Sequence, residues 1–326
     1  MFLNTYRGRT DLSGNKLRRS RSFGTGGRTM YSAAFDIGGT QLRAAIFDEN
    51  RKIIDVFKTS NDPELGGKKN VDKLIDFIMG SGYELCGVGI ASPGPLDLKR
   101  GMILNPPNLK GWDNFEIVRY VEDKTGLPAD VNNDGNLAGL AEARLGGGAG
   151  YESVIFIGMS TGMGGSFVYK GQLVNGAHCN TAEFYNVIVC DDEYHHGSAN
   201  PGSLNEVSGG AAMARIATEK FQTPMTARTL FEKYDQGDPL AAEILEGTSE
   251  ALARGIANIY YMIDPDIYII GGSIGMNNPW YVEKVLEKAK GYMTDPTINV
   301  AWAQFGDDAG LYGAALLAED TAAKKR

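Results

Sequence analysis

A glycine-rich hairpin between two short apolar strands occurs twice in this chain, and that repetition limits the fold more than any other feature. The first copy passes from Ser32–Asp36 through Ile37-Gly38-Gly39-Thr40 into Leu42–Phe47. The second passes from Val154–Gly158 through Ser160-Thr161-Gly162-Met163-Gly164-Gly165 into Phe167–Tyr169. The copies share glycine placement and little else, so the repeat is one of architecture: two similar α/β units with a cleft between them. A chain of 326 residues has room for two domains of ~100–200 residues each.

The remaining pattern fits that plan. Lys52–Phe57 completes an antiparallel meander with the first two strands. Val71, Leu74, Ile75 and Ile78 recur at helical spacing ahead of Gly80. Cys86–Ile90 is a short apolar strand ending at Ser92-Pro93-Gly94-Pro95, and Phe115, Val118 and Val121 predict a further helix. A strand over Ala129–Asn132 leads through Asp134 into a helix at Asn136–Leu145. After the second hairpin come a long helix, Pro239–Ile263, a buried strand, Ile267–Ile270, running into Gly271-Gly272-Ser273, and a last helix after Gly310. The expected division is 30–132 for the first unit, completed by the helix at 310–322, and 133–309 for the second.

Composition excludes several classes of function. With net charge −8, the surface is ill-suited to broad binding of nucleic acid or anionic membrane. Cys86, Cys179 and Cys190 form no disulfide framework, and a reducing cytoplasm is the expected location. No apolar run approaches the ~18 residues of a membrane span. Residues 1–29 differ: Arg7, Arg9, Lys16, Arg18, Arg19, Arg21 and Arg28 sit among Ser, Thr and Gly. They read as a disordered extension ahead of Met30, or as a basic arm that touches nucleic acid.

The hairpins carry chemistry as well as topology. Adjacent glycines permit a tight turn with positive φ and bring backbone N–H groups close to an anion. Thr40 adds a hydroxyl donor, and Asp36 at the strand end suits Mg²⁺ or its water shell. By itself Gly38-Gly39 equally fits an ordinary hairpin. With Ser160, Thr161, Gly162 and Gly164 opposite, and Gly271-Gly272-Ser273 placed to seat an adenosine, the set describes a polyphosphate held from several sides. No Gly-Lys-Ser/Thr occurs in the context of a Walker loop. Asn133-Asp134 offers a carboxylate for proton abstraction, although Asp134 also reads as a helix N-cap.

Taken in order, Asp36–Thr40, Ser92-Pro93-Gly94-Pro95-Leu96-Asp97, Asn105-Pro106-Pro107-Asn108-Leu109 with Trp112, Asn133-Asp134, Ser160–Gly165, Ala182-Glu183 and Gly271-Gly272 resemble the ROK family of sugar kinases, within the actin–hexokinase group of ATPases. The resemblance covers about Met30 to Glu319. It implies two actin-like (ribonuclease H-like) α/β domains with ATP and sugar sites in the cleft, and Asp134 as general base. It implies sugar contacts at Gly94, Asn108, Asn133, Asp134 and Glu183. ATP with Mg²⁺ and a homodimer follow from the same resemblance.

The chain departs from the family in one segment. Many members carry a zinc site made of a His three residues after the sugar-binding Glu and three Cys. Here those positions read Asn186, His196, Ser198 and Ser203, which cannot make a closed tetrahedral site; no protein-bound zinc is expected. His178, His195, His196, Cys179 and Cys190 lie close in sequence and leave a different metal site open. Asn186 stands where the family His contacts the sugar, and either Glu206 or Asn205 stands for the second sugar-binding Glu. The expected activity is transfer of the γ-phosphoryl group of ATP to a hexose hydroxyl, O6 in glucose, or to an N-acetylhexosamine. The alternatives are a sugar-sensing ROK regulator, which would need a helix-turn-helix that residues 1–29 have no apolar periodicity to form, and a sugar-binding pseudokinase.

Overall fold

The computed structural model describes residues 30–325 apart from Ser198; the basic stretch 1–29 and Ser198 lie outside the described residues. The first unit opens with β1 (Tyr31–Ile37), β2 (Gln41–Phe47) and β3 (Ile53–Ser60), followed by α1 (Gly66–Gly80), β4 (Leu85–Ser92), the small ladder β5 (Leu96–Asp97) and β6 (Met102–Ile103), α2 (Ile117–Thr125) and β7 (Ala129–Asn133). Its sheet has the order β3-β2-β1-β4-β7. The first three strands are antiparallel, and β4 and β7 run parallel to β1. β1 and β4 are central and covered on both faces, so their sequences are nearly continuous apolar runs. β3 is the edge strand; only Ile53, Phe57 and Thr59 are partly buried, and its exposed Asp55 and Lys58 are charges that protect an open edge.

The second unit repeats the plan. After α3 (Asp134–Leu145) come β8 (Ser153–Met159), β9 (Met163–Tyr169) and β10 (Gln172–Leu173), then α4 (Leu204–Ser208), α5 (Gly210–Phe221), α6 (Ala227–Asp235), α7 (Pro239–Ile263), β11 (Ile267–Gly271), α8 (Gly272–Asn277), α9 (Pro279–Lys290), β12 (Val300–Trp302) and α10 (Ala309–Lys324). The sheet order β10-β9-β8-β11-β12 has the same sense as the first, antiparallel then parallel. The sequence repeat is therefore a repeat of topology. α7 starts where Asp238 accepts the N–H groups of Leu240 and Ala241, with Pro239 in the first turn.

Three apolar clusters hold the molecule. One packs α1 and α2 on the outer face of the first sheet, through Val71, Leu74, Ile78 and Val121. Another packs α5, α7 and α9 on the outer face of the second, through Met213, Leu252, Ile256 and Val285. The third joins the two sheets: Ala34, Phe47 and Ala91 meet Leu137, Leu140, Leu311, Leu316, Phe156 and Ile269. α3 and α10 thus lie between the sheets, which is why α10 is apolar on nearly every side. Close approach is set by glycine: a Cβ on Gly89 would collide with the Ala314 carbonyl, and one on Gly313 with the Leu137 carbonyl. Arg144 of α3 clasps Asp320 of α10 with two N–H groups at 2.9 and 2.7 Å.

Register brings the chemistry to one end. Asp36 pairs with Ala91 and Ser92 with Asn133, so the carboxyl ends of β1, β4 and β7 lie side by side. In the second sheet Gly158 pairs with Gly271. Ligands in open α/β sheets bind beyond these ends.

Candidate active site

Both glycine hairpins are built to turn N–H groups outward. In the first, Gly38 N–H donates to Gln41 O at 2.9 Å, and the Gly38 and Thr40 carbonyls accept from Asn61 at 2.9 and 3.0 Å. A trans peptide points its N–H opposite to its C=O, so the Gly39 N–H faces away from Asn61, where Gly39 and Thr40 are exposed. In the second, the Ser160 and Thr161 carbonyls accept from Gly210 and Ala211 at 3.0 and 2.7 Å, which turns the N–H groups of Thr161 and Gly162 outward in the same manner. Asn205 braces this hairpin by accepting from Met163 N–H at 3.0 Å. Two such sets of backbone donors suit a polyanion.

The first hairpin turns without the positive φ expected of its paired glycines. Neither Gly38 nor Gly39 is left-handed. Glycine is required at Gly38 because a Cβ would lie 2.7 Å from the Gln41 carbonyl oxygen, and at Gly39 because it would press on Asn108 O at 3.1 Å. Gly272 does take positive φ, +79°, and packs on the backbone of Met159. Ser273 Oγ reaches Ser160 Oγ at 3.2 Å, so the third glycine turn lies beside the second hairpin. A cavity of ≈600 Å³ is bounded by Ser160, Thr161, Ser273, Asn278, Thr226 and Arg228.

Asp134 is the first residue of α3, and the cap is Asn133, whose Oδ1 accepts from Gly135 at 2.9 Å and from Asn136 at 3.4 Å. The sequence reading of Asp134 as the N-cap is therefore corrected. Asp134 opens to the cleft yet is hemmed in by protein. Burial pushes its carboxyl above the ordinary range, and the nearby negative charge of Asp36 adds to the shift. Burial likewise raises Glu183, with the Asp134 charge contributing. The three carboxylates Asp36, Asp134 and Glu183, from three separate segments, thus share one region. Asp36 is held by Arg43, whose Nε and Nη2 both reach Oδ2 at 2.8 and 2.6 Å, and whose Nη1 reaches Asp308 at 2.8 Å.

Beside Asp134 lies a second cavity of ≈580 Å³, lined by Gly94, Asn133, Asn136, Asn180, Glu183 and Tyr185 among others. Asn133 uses Oδ1 on the cap, which leaves its Nδ2 toward Gly94. Asn108 abuts Gly39 at the edge of the first hairpin. Asn186 and Glu206 do not line this cavity. Asn186 Oδ1 accepts from Asn200 N–H at 2.6 Å, and Glu206 is buried with Oε1 accepting from Asn205 Nδ2 at 2.8 Å. Among the described residues no cluster of three or more His, Cys, Asp and Glu is placed to hold a metal ion, and no helix is long and apolar enough to cross a membrane. A larger hollow, ≈680 Å³ between α1 and α2, touches none of these groups.

The ROK family profile matches residues 32–321. The chain belongs to the ROK family. Among curated ROK relatives, the glucokinase of Streptomyces coelicolor is 29% identical over 273 residues, 77% of this chain and 86% of that protein. The ROK hexokinase of Thermus thermophilus superposes with a TM-score of 0.84 at 30% identity, covering 90% of this chain and all of that one. A ROK glucokinase of Streptomyces griseus, solved with glucose and AMPPNP, gives 0.69 at 27% identity over 89% of this chain and 99% of that one. The two halves are those of the actin-like ATPase fold of these neighbours.

Several site residues of this ROK chain carried no usable sequence signal. Tyr185, Asn132 and Asn136 line the second cavity, but each reads as an ordinary strand or helix residue. Thr226 and Arg228 reach the first cavity from α6, a helix outside the sequence expectation. Asn61 carried a weak signal: a lone Asn after a strand, next to Asp62-Pro63, reads as a turn residue.

Proposed function

We propose that this ROK protein is a sugar kinase that transfers the γ-phosphoryl group of ATP to a hydroxyl of a hexose, O6 in the case of glucose, or of an N-acetylhexosamine. The observation that carries this reading is the setting of Asp134: a carboxylate not spent on the helix cap, raised by burial, close enough to Asp36 and Glu183 to interact with their charges, and next in sequence to Asn133, which lines the cavity with Gly94 and Glu183. The acceptor hydroxyl gives its proton to Asp134, its oxygen bonds to the γ-phosphorus, and the bond from that phosphorus to the oxygen of ADP breaks. The outward N–H groups at Gly39, Thr161 and Gly162, with the Thr40 and Ser160 hydroxyls, hold the phosphates, and the cavity beside Ser273 takes the adenosine. The glucose and AMPPNP bound to the Streptomyces griseus neighbour support this arrangement.

A Mg²⁺ ion fits Asp36, whose Oδ1 stays outside the Arg43 fork and faces Gly310; when bound with ATP it supplies neutralisation of phosphate charge. Asn133, Glu183 and Asn108 orient the sugar, Gly94 lets it approach the backbone, and the hydrogen bonds of Asn186 and Glu206 hold the loop around it. We also propose that residues 30–132 with the C-terminal helix move as one unit against 133–309 and close on the substrates.

The test is ADP release from Mg-ATP across a panel of hexoses and N-acetylhexosamines. Turnover with at least one sugar, abolished in Asp134→Asn, supports the proposal. Turnover that survives Asp134→Asn refutes the assigned base. Absence of turnover with sugar-dependent thermal stabilisation makes the protein a sugar-binding pseudokinase.

A further inference from the structure

We infer that Asn61 is a positioning residue that couples the first phosphate hairpin to the loop carrying Asn108, so that nucleotide and sugar bind better together than apart. The inference rests on the sugar-kinase reading above. Asn61 follows β3 and is 8% exposed. Its backbone N–H and both side-chain polar atoms are spent on the first hairpin and on Trp112. Its backbone N–H donates to Thr40 O at 3.0 Å and its Nδ2 to Gly38 O at 2.9 Å, while its Oδ1 accepts from the indole Nε1 of Trp112 at 3.3 Å.

The partners dictate the side chain. A backbone carbonyl needs a donor and an indole N–H needs an acceptor, and at this reach only a primary amide offers both. Asp would set a carboxylate against the Gly38 carbonyl, and Leu would leave the carbonyl and the indole N–H buried without partners.

Each contact has a consequence for binding. Holding the Gly38 carbonyl inward fixes the plane of the Gly38–Gly39 peptide and so aims the Gly39 N–H outward. Holding Trp112, which is fully buried, anchors the end of the segment Asn105–Trp112. That segment also rests on the hairpin directly: the backbone of Asn108 lies so close to Gly39 that a Cβ there would be 3.1 Å from Asn108 O. A phosphate that takes the Gly39 N–H favours the peptide orientation Asn61 enforces, and that orientation is the one on which Asn108 is seated. Two ligands that favour one arrangement raise each other's affinity by the same factor.

The experiment is calorimetric titration with a non-hydrolysable ATP analogue, with and without a saturating sugar that the wild type phosphorylates. The wild type is expected to bind the analogue about fivefold or more tightly when the sugar is present. In Asn61→Asp that ratio falls toward one, both KM values rise and kcat falls. Trp112→Phe deletes the indole donor, together with part of a buried ring, and leaves the hold on Gly38. It is expected to lower the ratio while changing analogue affinity in the absence of sugar by less than about twofold. It keeps the test decisive if Asn61→Asp folds poorly. A lowered melting temperature with the ratio and KM values unchanged makes Asn61 merely structural and overturns the inference, as does a catalytically active wild type with no synergy. A wild type that neither binds nor phosphorylates any sugar refutes the sugar-kinase reading itself, before any variant is made.

Discussion

Asn133 caps α3 in place of Asp134, the next residue: the Asn133 Oδ1 takes the N–H groups of Gly135 and Asn136, and the Asp134 carboxylate is left exposed, accepting the adjacent Gly135 N–H at 2.8 Å. Helix initiation and the proposed proton abstraction thereby fall to different side chains. Asp134→Asn is expected to lower kcat/KM for the sugar by about 10²–10⁴ without lowering thermal stability. Asn133→Ala is expected to cost about 1 kcal/mol through the lost cap and to raise the sugar KM. Steady-state kinetics and thermal denaturation of the two variants check the separation.

The raised Asp134 carboxyl sets a pH dependence of opposite sign for activity and stability. Activity needs the deprotonated form, so kcat/KM falls as pH drops through the raised value. For stability, the native state binds this proton more tightly than the unfolded chain does. Stability from this group is therefore present below the ordinary carboxylate pKa of about 3.9 and is lost as pH rises from there through the raised value. Asp134→Asn removes that loss, so its melting temperature is expected to exceed the wild type's at neutral pH by a margin that shrinks on acidification. Because the Asp36 charge contributes to the raised Asp134 carboxyl, Asp36→Asn is expected to move the acid limb of the remaining kcat/KM to lower pH. An acid limb that moves upward or stays in place removes Asp134 from the role of titrating base.

The sequence revealed what repeats and what is periodic. The two hairpins, β1, β4, β8 and β11, and the helices at α1, α3, α7 and α10 were legible because apolar spacing and paired glycines are local signals. The shared region of Asp36, Asp134 and Glu183 followed from family resemblance and not from spacing, since register alone brings β1 beside β4 and β7. Asn61 and Asn205 were missed as braces because their partners lie far along the chain, at Trp112 and Met163. α5, α6 and α9 escaped because their apolar positions are interleaved with Ala, Thr and Lys. The assignment of Asn186 to the sugar followed a sequence column, whereas its carbonyl oxygen is engaged by the backbone N–H of Asn200.

That bond yields a prediction of its own. The segment 187–203 is pinned by Asn200 N–H on Asn186, by Val189 N–H on Gly202 O at 2.9 Å and by Leu204 N–H on Val187 O at 2.8 Å. Asn186 contributes its side chain to these ties, and the Asn200 Nδ2 and Arg254 Nη1 groups add longer contacts to Asn186 O and Val189 O, both at 3.4 Å. Asn186→Ala is expected to raise the sugar KM several-fold more than the ATP KM, at a stability cost of about 0.5–1.5 kcal/mol, and to speed proteolytic cleavage between residues 190 and 203. Equal increases in both KM values would show that the bond supports the whole cleft and not the sugar side.

Gly272 and Gly164 separate the glycines that the backbone demands from those that it tolerates. Gly272 has φ +79°, and a Cβ there would collide with the carbonyl oxygen, carbonyl carbon and nitrogen of Met159. Gly164 has no positive φ, and a Cβ there would meet nothing within 4 Å. For Gly272→Ala the left-handed conformation costs about 1–2 kcal/mol, and the clash forces β8 and α8 apart for about 1–3 kcal/mol more. Against a typical total of about 5–15 kcal/mol, that is enough to lower the yield of folded protein. Gly164→Ala is expected to stay within about 1 kcal/mol of wild type and to gain slightly from the reduced freedom of the unfolded chain. Any loss it shows in ATP KM without loss of stability would then measure crowding at the second phosphate hairpin alone. Denaturant titration of both variants, with ATP KM for the soluble one, distinguishes these effects; a Gly272→Ala variant as stable as wild type would contradict the close packing of β11 and α8 on Met159.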